Sequence, residues 1–391
     1  MLKTIVNSNK SLSLQTVKKI IIYFFVVMLL SLGSCTNTER VLKSKDTNYK
    51  YTKALEWYNK GQYFKAIPVF EELMGLYKGS KTTEEIYYYY CMAQYKQGSY
   101  ILSAFHFKNF VTKHPKSQYT EEALFMHAES YYKQSPKFNL DQSETYKAID
   151  AYQTFINQYP ESERVATANQ KIDELREKLE EKALRAAKLY YKTENYRAAA
   201  FAYKNLLIDF PDIDNSEEIQ YKVVKSFYKY AEQSIPTKQL TRYEDVIRVG
   251  NIFLNRYADS KFSADITNTI ENAHYKSISS SYKSAMVSPL KERNDGLEEV
   301  FDVFEVHHEY LTDDKLIQEA KDVKEQAKFE IVRTNFLEAQ NAETKDKKKK
   351  YVETIQAYTD FINTYSDSKY NKEALKYYNA SQKNIKKISN G

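Results

Sequence analysis

Apolar positions along this chain recur with helical spacing, and the helical stretches end repeatedly in one eight-residue pattern. Phe155-Ile-Asn-Gln-Tyr-Pro-Glu-Ser162 is the reference copy. Phe110 to Ser117, Phe253 to Ser260 and Phe361 to Ser368 repeat it, with looser copies at Leu73 to Ser80 and Leu206 to Ile213. Each copy opens with an apolar residue and carries an aromatic residue or His four positions later, a pair that stacks on one helical face. Pro115, Pro160 and Pro211 follow that pair and are expected to stop the helix. The closing Ser can accept a backbone N–H and cap the next helix. Written six times, this is the exit from one helical hairpin into the next, so the pattern predicts an all-α solenoid.

The intervening stretches supply the hairpins. Ala54 to Leu73, with Trp57, Tyr58, Gly61, Tyr63, Ala66 and Phe70, resembles a tetratricopeptide repeat. Gly61 suits a helix C-cap, Ala66 a close helix crossing, and Phe70 and Leu73 the hairpin core. Four further repeats centre on Tyr95 to Pro115, Tyr131 to Pro160, Tyr190 to Pro211 and Phe227 to Phe253, the third with an insertion at 136–143. Their spacing exceeds the usual ~34 residues, which predicts longer helices or loops. Val165 to Tyr191 lacks Pro and Gly and reads as one long helix. From Ser277 the pattern weakens: Ser279 to Ser281 and Asn294-Asp-Gly296 read as breaks, Phe304 to Leu311 as a decayed exit, and Asn371 to Lys386 as a terminal helix. The expected division is 1–34 leader, 35–47 tether, 48–280 five repeats, and 281–391 a helical extension holding one more repeat.

The leader changes the reading of charge. Lys18 and Lys19 precede the apolar run Ile20 to Leu32, which is shorter than the ~20 residues of a membrane-spanning helix. A basic flank, a short apolar core and small residues before a cut describe a secretory signal. Leu32-Gly33-Ser34-Cys35 resembles the bacterial lipobox, which implies cleavage before Cys35 and its acylation. Thr36 and Asn37 carry no retention Asp, which favours the outer membrane, with the body in the periplasm. Of the formal charge of +6, four positive charges precede Cys35. A mature chain near +2 is poor evidence for nucleic-acid binding. With Cys35 acylated, Cys91 has no disulfide partner and reads as a buried small hydrophobe.

Candidate chemistry is sparse. The six histidines, 106, 114, 127, 274, 307 and 308, form no metal-binding motif, and no phosphate loop, nucleophile elbow or Cys-x-x-Cys occurs. The chain therefore reads as non-enzymatic, without cofactor or metal. Lys347 to Lys350 read as a solvated loop. Tyr runs at 87–90, 131–132, 190–191 and 377–378 put one Tyr of each set in the core and its neighbour at the surface. Tyr58, Tyr95, Tyr132 and Tyr191 are the candidate groove contacts, since Tyr offers rigid amphipathic area to a peptide.

A lipobox followed by about five such repeats resembles the BamD family, outer-membrane lipoproteins of the β-barrel assembly machinery. The resemblance covers roughly residues 18 to 275 and includes the Phe-x₄-Pro exits, the third-repeat insertion and the long helix. Tyr230 to Gln239 with Arg242-Tyr243 resembles the Bacteroidota versions. It implies docking on the POTRA domains of BamA, an Omp85-family barrel, association with other subunits of the machinery, and capture of unfolded outer-membrane proteins. Two alternatives are a SusD-like glycan-binding lipoprotein, which predicts clustered Trp where only Trp57 exists, and an adaptor for envelope synthesis and division.

Overall fold

The computed structural model describes residues 37–79 and 81–390. Cys35 lies outside them. The chain divides into two units between Leu179 and Glu180. Every element among the described residues is helical.

Unit one begins with a short helix over 37–42 (α1). Three pairs follow: α2 (Thr47–Asn59) with α3 (Tyr63–Leu76), α4 (Lys81–Lys96) with α5 (Tyr100–Lys113), and α6 (Thr120–Gln134) with α7 (Ser143–Gln158). The long helix α8 (Val165–Lys192) starts in unit one and ends in unit two. Phe70, Leu73, Phe107, Phe110, Tyr152 and Phe155 form the unit-one core, all fully buried. Cys91 joins them, and burial pushes its thiol pKa up. Val41 does too, at 3 % exposure. The expected tether over 35–47 is therefore already folded from residue 37, because Val41 finds an apolar seat.

Unit two continues with α9 (Tyr196–Asp209), then α10 (Ser216–Glu232) with α11 (Pro236–Arg256), α12 (Ser263–Val287) with α13 (Leu290–His307), and α14 (Asp314–Asn341) with α15 (Thr344–Thr364). The last helix, α16 (Asn371–Asn390), stands alone. Two hairpins thus follow the fifth repeat, and the expected boundary at 280/281 falls inside α12. Neither expected break occurs. Ser277 Oγ donates to Ala273 O at 3.0 Å and Ser281 Oγ to Ile278 O at 2.8 Å, so the buried hydroxyls are satisfied within the helix. Gly296 lies inside α13, where a Cβ would meet Ala285 Cα at 3.2 Å. Small residues here permit a close helix crossing. Lys347 to Lys350 belong to α15 and not to a loop, and Lys350 pairs with Glu338 at 2.9 Å and Glu353 at 3.1 Å.

The exits follow the expected geometry. The backbone N–H of Tyr77, His114, Tyr159, Phe210, Tyr257 and Tyr365 donates to the carbonyl of the apolar residue four earlier, at 2.8 to 3.0 Å. Those apolar residues, Leu73, Phe110, Phe155, Leu206, Phe253 and Phe361, are at most 1 % exposed. Ser162, Ser260 and Ser368 accept the N–H two residues on, at 3.0 to 3.2 Å. Proline is not what stops these helices: Tyr159 before Pro160 has φ −131°, and Tyr257 before Ala258 has φ −132°.

Three of the hairpin turns use a left-handed residue. Gly61 and Gly98 hold it at φ 71° and 87°, and Glu194 at φ 60° in the corresponding place. In all three the N–H of the left-handed residue donates three residues back and the next N–H five back, a Schellman closure.

Phe155→Ala is expected to cost about 3–5 kcal/mol, whereas Pro160→Ala at an exposed site changes stability by less than about 0.5 kcal/mol. Glu194→Gly is expected to stabilise by about 1 kcal/mol by relieving the left-handed backbone. Urea unfolding of the three variants measures all of these shifts.

Candidate functional site: the first-helix face

The first helices of successive hairpins are joined by tyrosine–carboxylate rungs. Tyr88 on α4 donates to Glu122 Oε2 on α6 at 2.6 Å, and Tyr95 to Glu129 Oε2 at 3.4 Å. Each reaches 34 positions forward. Tyr132 on α6 donates to Glu174 Oε2 on α8 at 2.5 Å, 42 positions on. In unit two Tyr221 reaches Asp265 and Tyr275 reaches Glu319 by the same logic.

Cations complete the rungs. Arg164 Nη2 donates to Glu122 Oε1 at 3.1 Å. Lys171 Nζ donates to Tyr132 Oη at 3.0 Å and lies 4.2 Å from that ring's centre. Lys225 pairs with Asp265 at 3.1 Å. Tyr88 is held strongly as the phenol, first by burial and then by its bond to Glu122. Tyr221 is pushed up to about 12 by burial and Asp265. The bond from Tyr132 leads the causes that hold Glu174 below its ordinary value.

The four expected groove tyrosines each belong to a different hairpin. Each is half-buried and clasps its own hairpin edge-on: Tyr58 to Tyr63 at 5.5 Å, Tyr95 to Tyr100 at 5.4 Å, Tyr132 to Tyr152 at 6.4 Å, Tyr191 to Tyr196 at 5.3 Å. Tyr191 also borders an open cleft of about 230 Å³, with Leu184, Tyr203 and Ile219 as apolar lining. Lys188, Lys192 and Lys222 rim it together with Asp214 and Glu218, and Lys222 lies 5.2 Å from the Tyr191 ring centre. Sequence reasoning missed Glu122, Glu129 and Glu174. The signal was present as a Tyr and a Glu one repeat apart, Tyr88 with Glu122 and Tyr95 with Glu129.

A larger cleft of about 580 Å³ lies between α11, α12 and the end of α13. His274 and His307 meet in its wall, Nδ1 to Nδ1 at 2.8 Å, and Tyr310 stacks on His274 at 4.4 Å. Such a bond needs one neutral ring as acceptor. Burial first, and His307 second, push His274 down to about 4. Among the described residues no group of three or more His, Cys, Asp or Glu is placed to hold a metal ion.

Residues 43–233 match the sequence model of a family described as YfiO, outer membrane lipoprotein. That region belongs to the YfiO family. The YfiO region runs from the turn before α2 to the end of α10. It contains the Tyr88, Tyr95 and Tyr132 rungs and the Tyr191 cleft, and it excludes the His274 cleft. No curated protein matches the chain significantly. Among solved structures, the chain is similar to the TPR2AB-domain:pHSP90 complex of yeast Sti1, at 12 % identity over 72 % of this chain and 98 % of that one, with a TM-score of 0.29. It is also similar to a tetratricopeptide repeat protein from Parabacteroides merdae, at 12 % identity over 86 % and 99 %, with a TM-score of 0.25.

Tyr132→Phe is expected to destabilise by about 1–2 kcal/mol, and a double-mutant cycle with Glu174→Gln to show coupling of that order. Because the folded value of His274 lies below its unfolded value of about 6.5, the unfolded chain binds more protons between pH 6.5 and 4. Stability is full above that window and falls through it, by roughly 2 kcal/mol at pH 5. Urea midpoints at pH 7 and pH 5 measure the loss, and His274→Gln is expected to reduce it.

Proposed function

We propose that this protein is an acylated, periplasm-facing scaffold of the β-barrel assembly machinery. In this reading Cys35 carries the lipid, the repeats dock on the POTRA domains of an Omp85-family BamA, and unfolded outer-membrane proteins are received on the first-helix face. The observation that carries it is the YfiO match over 43–233, joined to the lipobox immediately before it. The chemistry of the face is compatible. Its tyrosine rings and the lysines at the Tyr191 cleft offer aromatic area and cations, contacts that an amphipathic strand with a terminal carboxylate would use. The Tyr191 cleft supports this best, because its apolar lining and lysine rim remain open. The glycan-binding alternative is weakened further, because Trp57 is only 8 % exposed and cannot stack on a sugar from there.

Affinity purification from detergent-solubilised outer membranes is expected to co-isolate the Omp85-family barrel protein. Recovery of a TonB-dependent transporter in its place would favour the glycan reading. Cys35→Ala is expected to abolish labelling by radioactive palmitate and to leave the leader uncut, so that the protein migrates as the longer precursor.

A further inference from the structure

Little free chain separates Cys35 from the folded body. Residues 37–42 are helical, and Val41 is seated in the unit-one core. An extended chain spans at most ~3.5 Å per residue, so an acyl group on Cys35 is held within about 20 Å of Val41.

The end of unit one beside that anchor carries exposed apolar and basic groups. Tyr77 Oη donates to Thr47 Oγ1 at 3.0 Å and to Asn48 Oδ1 at 3.3 Å, which pins the end of α3 to the start of α2. Around the pin, Leu76 is 57 % and Tyr49 40 % exposed. Lys43, Lys45 and Lys78 are exposed there as well. The acidic groups nearby include Glu39, paired with Lys43 at 3.5 Å, Asp46, which caps α2 by accepting from Tyr49 N, Glu72, paired with Lys50 at 2.7 Å, and Glu84 and Glu85 at the start of α4. An aromatic residue and an aliphatic residue ringed by lysines match the headgroup layer of an anionic membrane: the apolar groups enter it and the ammonium groups meet phosphate.

We propose that this end of unit one, formed by the α1–α2 and α3–α4 turns, lies directly on the lipid surface, with Leu76 and Tyr49 in the headgroup layer. The placement rests on acylation at Cys35. The hairpin turns at Gly61 and Gly98 lie at the other end of the same helices, about 20 Å away along α2, and face off the membrane. Ile101, 75 % exposed just after Gly98, provides a matched apolar control at that end.

The test uses the acylated full-length chain bound to vesicles of phosphatidylethanolamine and phosphatidylglycerol. An environment-sensitive dye is placed at Leu76→Cys or Ile101→Cys, with Cys91 fully buried and out of reach. Quenching by brominated lipid is expected to be at least about threefold stronger at position 76 than at 101. Equal quenching, or stronger quenching at 101, on vesicle-bound protein overturns the proposal. Combined Lys43→Glu, Lys45→Glu and Lys78→Glu substitution is expected to bring quenching at 76 down towards that at 101; no change overturns the role of the lysines. Acyl-labelled protein that fails to float with vesicles overturns the acylation reading itself.

Discussion

A helix that ends inside a stack of hairpins leaves carbonyls without intrahelical donors, and those nearest the core have no water to turn to. In this chain the carbonyl at greatest risk belongs to the buried Phe or Leu of each exit, and the aromatic residue four positions later answers it with its own N–H. The same aromatic ring folds back on the Phe, at 5.9 Å for Phe155 and Tyr159 and at 5.3 Å for Phe253 and Tyr257. One residue thus satisfies the backbone and covers the apolar end of the hairpin. The backbone angles at this point barely vary over the last five copies, φ −128° to −133°, with or without a following proline, so those exits turn the chain in nearly the same way, whereas Tyr77 in the first copy sits at φ −95°.

Constancy of the exit sets the register of everything between exits. Six residues separate α5 from α6, α7 from α8, α9 from α10, α11 from α12, α13 from α14 and α15 from α16. Insertions fall instead in hairpin turns, such as 135–142, or lengthen helices. Glu129 and Glu174 each sit nine residues past the first residue of their helix, although the rungs that reach them span 34 and 42 positions. A rung is therefore specified by place on a helix and not by sequence distance, which is why the longer period does not break the series.

The same distinction decides what could be read from sequence. Phe110, Phe155, Phe253 and Phe361 were legible because burial and capping fall on a fixed short spacing. Cys91 was legible from its apolar neighbours, and α8 from the lack of helix breakers. Ser279 to Ser281 and Gly296 were misread because small residues mean a break in an exposed helix and a close crossing in a buried one. Burial is a tertiary fact that the local pattern does not carry. The core after α12 shows the consequence: it falls into small clusters such as Ala285, Leu297 and Val300, with few large side chains to mark a period. Val41 escaped notice for the opposite reason, since one apolar residue in a polar run has no period at all. The tyrosine face was half legible: the residues were visible, but their carboxylate partners lie a full repeat away.

Accounting for those hydroxyls also narrows where a strand-like partner would meet the YfiO region. In unit one the phenols of Tyr88, Tyr95 and Tyr132 already donate to carboxylates, so a newcomer gains ring area there but must displace a charge-assisted bond to gain a hydrogen bond. In unit two Tyr191 clasps Tyr196 by its ring while its cleft keeps three lysines at the rim. An anionic end group arriving at that cleft gains ammonium partners, and an apolar side chain beside it meets Leu184 and Ile219. Recognition of a chain end is therefore better served at α8 to α10 than along the rungs, whose first service is to hold successive first helices in register.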